Sequence, residues 1–134
     1  MNKITYTLVP WSTFKDLIIT RFNINFYKID DMFIHGAKWN YLEDWLEVSD
    51  LEILHCLECL KPFTGELLVV TDASYEKGLS PFIMNSKDIK QFVESHSNNF
   101  KQRFLETDVL IINLELKIAW IFHHEGVYGL VEYE

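Results

Sequence analysis

Residues 107–133 constrain the fold of this chain more than any other stretch. They run from Thr107 through Val109, Leu110, Ile111 and Ile112, then Ile118, Ala119, Trp120, Ile121 and Phe122, to Val127, Tyr128, Leu130, Val131 and Tyr133. No other stretch of the sequence is as dense in β-branched and aromatic residues, which suit a pleated, buried surface. Two breaks divide it. Polar positions alternate with Leu114 and Leu116 between Asn113 and Lys117, and His124-Glu125-Gly126 forms the second break. The pattern predicts three antiparallel strands over 108–113, 116–123 and 127–133, joined by short turns. This meander is the expected platform for the rest of the chain.

With 134 residues, the chain is sized for one domain, 1–134, with a substantial core. A hydrophobic content of 49% and an aromatic content of 15% belong to a packed protein. No window holds the roughly 18 uncharged apolar residues of a membrane span. The start of the sequence lacks a signal-peptide pattern, so the expected location is the cytoplasm. The net charge of −8 argues against nucleic acid, whose phosphates call for a basic surface. It suits a basic protein partner instead.

Ahead of the meander, Ile4 to Val9 alternates like a strand and ends at Pro10. Trp11, Phe14, Leu17 and Ile18 recur at helical spacing, predicting a helix over 13–22 with Ser12 as its N-cap. Residues 23–29 alternate like a second strand. Between Met32 and Asn40 neither period dominates. Across Tyr41 to Val48, Leu42, Trp45 and Leu46 fit a helical turn better than a strand. Ser49 and Glu52 stand at capping-box spacing, and Leu51, Leu54, Leu57 and Leu60 follow, predicting a helix over 50–61 stopped by Pro62. Residues 66–72 read as a central buried strand. Residues 73–85, with Gly78 and Pro81, read as a surface loop. Ser86 is the expected cap of a helix with Ile89, Phe92, Val93 and His96 on one face, which Ser95 to Asn99 threatens to break. The fold class is α+β: an antiparallel sheet packed against about three helices.

Several residue groups bear on chemistry. Cys56 and Cys59 make a Cys-x-x-Cys, but late in a helix, where the dipole does not favour a thiolate as it does at a redox site. A zinc site needs two more ligands, and His55 projects roughly 100° from Cys56. These cysteines are expected to be small core residues, with no metal or cofactor bound. His123 and His124 alternate faces on a strand and so do not share a metal. One of them beside Glu125 or Asp72 would be the basis of a small hydrolase. No nucleophile elbow or phosphate loop is present.

The acidic segment says more. Glu43, Asp44, Glu47, Asp50, Glu52 and Glu58 lie between Lys38 and Lys61 with no intervening Lys or Arg, interleaved with Trp39, Tyr41 and Trp45. Acidic charge steers a basic partner, and aromatic side chains supply desolvated anchors. Asp72, Tyr75 and Glu76 are a second expected contact.

The chain resembles the small acidic immunity proteins of bacterial toxin systems, including contact-dependent inhibition. The likeness rests on the acidic α+β character, on the stretch Leu67 to Tyr75 and on Ile118 to Gly126, and covers about the second half of the chain. The resemblance implies a non-enzymatic cytoplasmic protein that binds and blocks one cognate toxin domain. A nuclease toxin, basic because it grips phosphates, would meet the acidic surface. Neither nucleic acid nor membrane is an expected partner.

Overall fold

The computed structural model describes residues 6–22, 38–44, 47–71, 74, 80–100, 108–123 and 126–132. Among these, seven strands form one antiparallel sheet and three helices cover it. The elements are β1 (Tyr6–Leu8), α1 (Trp11–Phe22), β2 (Lys38–Tyr41), α2 (Asp50–Leu60), β3 (Glu66–Val70), β4 (Phe82–Asn85), α3 (Ile89–Phe100), β5 (Val109–Asn113), β6 (Ile118–His123) and β7 (Val127–Glu132). The strand order is β1-β4-β3-β5-β6-β7-β2, which makes the fold α+β. The meander forms as the pattern predicts and supplies the consecutive neighbours β5, β6 and β7. Among the described residues, no helix is long and apolar enough to cross a membrane.

Helices lie on both faces, which explains why the central strands are apolar throughout. Along β3, Leu67 and Val69 face α2 and α3, while Leu68 and Val70 face α1; all four are buried. β6 repeats the arrangement, with Ile118, Trp120 and Phe122 on one side and Ala119 and Ile121 on the other. A side chain of this size contributes roughly 1.5–3 kcal/mol when fully buried, so two covered faces make the sheet the chief source of stability. On the α2–α3 side, Tyr6, Phe82 and Phe92 stack with centroids 5.2, 5.4 and 5.0 Å apart. On the other side Phe14 and Ile18 seat α1.

Several local expectations need correction. Helix α1 begins at Trp11, and the Pro10 carbonyl accepts from the Phe14 N–H at 2.9 Å, so Pro10 and not Ser12 stands at the cap. The segment 73–85 is not all loop. Phe82–Asn85 is strand β4, held between β1 and β3 with Phe82 and Met84 buried. The cap ahead of α3 is Asn85, whose side chain accepts from the Lys87 N–H at 3.0 Å and opens a 3-10 turn, Ser86–Asp88. Helix α3 then runs unbroken through Ser95, whose hydroxyl donates to the Phe92 carbonyl at 3.2 Å within the helix. Tyr41 closes strand β2, so the expected helical turn over 41–48 does not start there, but its later part forms: Glu47 is in 3-10 conformation and its N–H bonds to the Asp44 carbonyl at 2.9 Å. The strand expected over 23–29 lies outside the described residues.

Candidate interaction surface

The acidic segment spans the connection from β2 to α2 and helix α2 itself, and three local devices shape it. The Leu42 N–H bonds to the Gly126 carbonyl at 2.9 Å, tying the connection to the β6–β7 turn. Asp44 adopts φ 52, a left-handed conformation that short polar side chains tolerate, and its carbonyl accepts from the Glu47 N–H at 2.9 Å. Ser49 caps α2, accepting from the Glu52 N–H at 3.2 Å, and its hydroxyl lies 3.3 Å from Glu52 Oε1. Asp50 and Glu52 thus sit in the first turn of α2, where the helix dipole favours negative charge.

Glu43, Asp44, Glu47, Glu52 and Glu58 are exposed, and Asp50 is half-buried. Tyr41 is 83% exposed, the most open large hydrophobic side chain among the described residues. Trp39, two residues earlier on the same face of the sheet, is half-buried against the α1-side core. Opposite it in the ladder stands Gly129, which is buried. Among the described residues, Tyr41 is therefore the aromatic group this stretch presents most openly to solvent. Trp45, Asp72, Tyr75 and Glu76 lie outside the described residues. Asp72 falls between Thr71 and Ser74, both buried, and Tyr75 and Glu76 follow Ser74: the Thr71 N–H donates to Ser74 Oγ at 3.2 Å, and the Ser74 N–H to the Thr71 carbonyl at 3.0 Å.

Strand register adds a residue that composition did not single out. Val109 pairs with Phe122, which puts Asp108 beside His123; His123 in turn pairs with Val127, and Val127 with Tyr41. The His123 Nε2 lies 3.9 Å from Asp108 Oδ1, with side chains 31% and 62% exposed. Among the described residues, the carboxylate beside His123 is thus Asp108; Glu125 and Asp72, which sequence reasoning offered, lie outside them. The hairpin register carries that signal, since it aligns 108 with 123 across the β5–β6 pair. His124 and Glu125 lie outside the described residues. One end of the sheet accordingly gathers Tyr41, Asp108 and His123, next to the acidic turn at Glu43 and Asp44.

Behind the acidic rim, a groove of about 730 Å³ runs along α2, floored by Leu51, Leu54, Phe63 and Ile89 and edged by Glu52, Glu58 and Lys90. The cysteines of α2 are not the core pair expected of them: Cys56 is half-buried and Cys59 is exposed. Cys59 Sγ lies 3.5 Å from His55 Nε2, one helical turn away. Burial, and secondarily the nearby Cys56, push the Tyr128 hydroxyl above its usual pKa. Among the described residues, no three His, Cys, Asp or Glu side chains converge on a common point as they stand. Comparison with protein-family models, with curated proteins and with solved structures finds no match to this chain in any of the three.

Proposed function

We propose that this chain is a non-enzymatic inhibitor that binds and neutralises a basic toxin domain in the cytoplasm, in the manner of an immunity protein. The observation that carries the reading is the β2–α2 connection. Six acidic residues and no Lys or Arg lie between residues 39 and 60, over that connection and α2; five of the six are exposed, and so is the Tyr41 ring. An exposed tyrosine in the same segment as exposed carboxylates suits a partner that presents Arg or Lys, because the ring takes up a guanidinium by cation–π contact while the acids steer the approach. A nuclease domain has such a surface, built to hold phosphates.

The test uses the full chain as bait in its source cell at moderate salt. The reading requires recovery of one basic polypeptide in stoichiometric amount, growth-inhibitory when expressed alone and harmless when co-expressed with this chain. Recovery of no such polypeptide removes the reading. A second reading, a small hydrolase, draws on the His123–Asp108 pair, since a carboxylate beside an imidazole orients it for proton transfer. Under that reading His123→Ala abolishes an activity; under the inhibitor reading it leaves toxin neutralisation intact.

A further inference from the structure

The groove along α2 is built on one face of that helix. Leu51, Leu54, His55 and Glu58 line it and recur at i, i+3, i+4 and i+7, a single stripe over two turns. At 1.5 Å of rise per residue the stripe is about 10.5 Å long. Ile89 and Lys90, at the start of α3, add to the helical lining. The floor is core that reaches the surface. Leu54, Phe63 and Ile89 are buried, whereas Leu42, Val48 and Leu51 pack against the same core and stay half-buried. Their outer surfaces line the groove of about 730 Å³ with apolar groups.

The rim sets the charge of what fits there. Among the described residues, Glu52 and Glu58 line the groove and are exposed, against a single lysine, Lys90. Exposed Glu47 and half-buried Asp50 lie just ahead in the chain, and the net charge is −8. An occupant that offers apolar side chains together with Arg or Lys is complementary to this surface. The walls also set its conformation. Along α2 and α3 the backbone hydrogen bonds are internal to the helices, so a strand finds no ladder partner there. A helix needs none, because it satisfies its own N–H and C=O groups. Side-chain ridges on a helical wall leave furrows that accept the ridges of another helix.

We propose that this groove docks an amphipathic, basic helix of a partner protein. Apolar side chains at i, i+3 or i+4, and i+7 of that helix cover Leu51, Leu54 and Phe63, and its flanking Arg or Lys side chains meet Glu52 and Glu58. The proposal rests on the inhibitor reading for the identity of the partner, and names the element of the toxin domain that is gripped. The two surfaces then have different tasks. The acidic turn beside Tyr41 steers the encounter, and the groove supplies the apolar area that holds the complex.

The probe is a synthetic peptide of about 18 residues, long enough to become helical on binding, with Leu at i, i+3, i+4 and i+7 and Lys or Arg between them. Added to the isotopically labelled full chain, it should saturate at one equivalent and shift the amide signals of residues 51–58 and 86–90. A scrambled peptide of equal composition should bind about tenfold more weakly or worse, because its apolar residues no longer share a face. Glu52→Lys combined with Glu58→Lys, both exposed, should weaken binding by about tenfold at low salt, and added salt should narrow the difference. Absence of saturable binding overturns the proposal. So do equal binding of the scrambled peptide, shifts confined to other residues, or undiminished binding by the double variant. The outcome is separable from that of the bait experiment. Failure of the bait alone removes the toxin and leaves the groove's preference standing; failure of the peptide alone removes the groove and leaves a toxin to bind at the Tyr41 surface.

Discussion

The indole N–H of Trp120, at the centre of β6, donates to the backbone carbonyl of Lys61 at 3.0 Å. Trp120 has no exposed surface, and the Phe63 ring lies against it with centroids 4.8 Å apart. Lys61 is where α2 ends and the chain turns extended. One part-buried bond therefore joins the sheet to the point at which the helix above it stops. Trp120→Phe removes the donor to the Lys61 carbonyl and leaves a small void around the fully buried ring, and should cost about 1–3 kcal/mol. Urea denaturation should show a lower midpoint at unchanged slope.

At the other end of α2, Ser49→Ala deletes the acceptor for the Glu52 N–H. The loss expected of such a cap is about 1 kcal/mol, and Ser49→Asp should restore most of it. Thermal unfolding of the three proteins checks both statements. If Ser49→Ala unfolds like the parent, solvent satisfies that N–H as well as the side chain does.

Tyr128 has its hydroxyl pKa raised on folding, first by burial and then by Cys56. A folded pKa above the unfolded value means the native state holds its proton more tightly. That contribution is complete below the ordinary tyrosine pKa of about 10 and disappears as pH rises through the higher folded value. Stability of the parent should therefore fall above about pH 10 more steeply than that of Tyr128→Phe. Denaturant midpoints collected between neutral and strongly alkaline pH would show the two curves diverging only at the alkaline end; parallel curves refute the assignment.

Replacing Glu43, Asp44 and Glu47 together by Lys changes the net charge from −8 to −2. All three are exposed, so the fold should persist. Association with the basic partner should slow by about tenfold or more at low salt, with dissociation less affected, and the gap should close as salt is added. Stopped-flow or surface-based kinetics across ionic strength would reveal this. Equal association rates would take this surface out of the binding model.

The parts of the fold that can be read from sequence are those where local pattern and tertiary role agree. The β5–β7 meander is legible because Asn113 and Gly126 mark its turns. Asn113 accepts from the Leu116 N–H at 2.9 Å and donates to the Thr64 carbonyl at 2.9 Å, and Gly126 takes φ 84. The cap at Ser49 is equally plain, since the capping box acts within four residues. Strand β4 is not legible. Its four residues follow Gly78 and Pro81, and what makes them a strand is pairing with β1 and β3, which no local period encodes. β2 is similar: it is short, and its partner β7 lies far along the chain. Helix α3 defies its own propensity around Ser95 because Phe92, Val93 and His96 are buried on one side. In the candidate site, the acidic residues are visible as composition, whereas Asp108 and the Cys59–His55 spacing emerge only from register and helical geometry.

Trp39 and Gly129, facing each other across the β2–β7 ladder, are separated by 129 − 39 = 90 residues. Among the described residues, a nascent chain that has reached α2, β3 and even α3 still lacks the strand that pairs with β2, and the Gly126 carbonyl that anchors Leu42 has not been synthesised. The acidic connection thus acquires its shape only after residues 126–132 leave the ribosome. Pairings this distant in sequence close late and slowly. Any activity that depends on the connection should switch on with release of the C-terminal hairpin, so truncation before Val127 should leave a chain that contains every acidic residue of the surface and binds nothing.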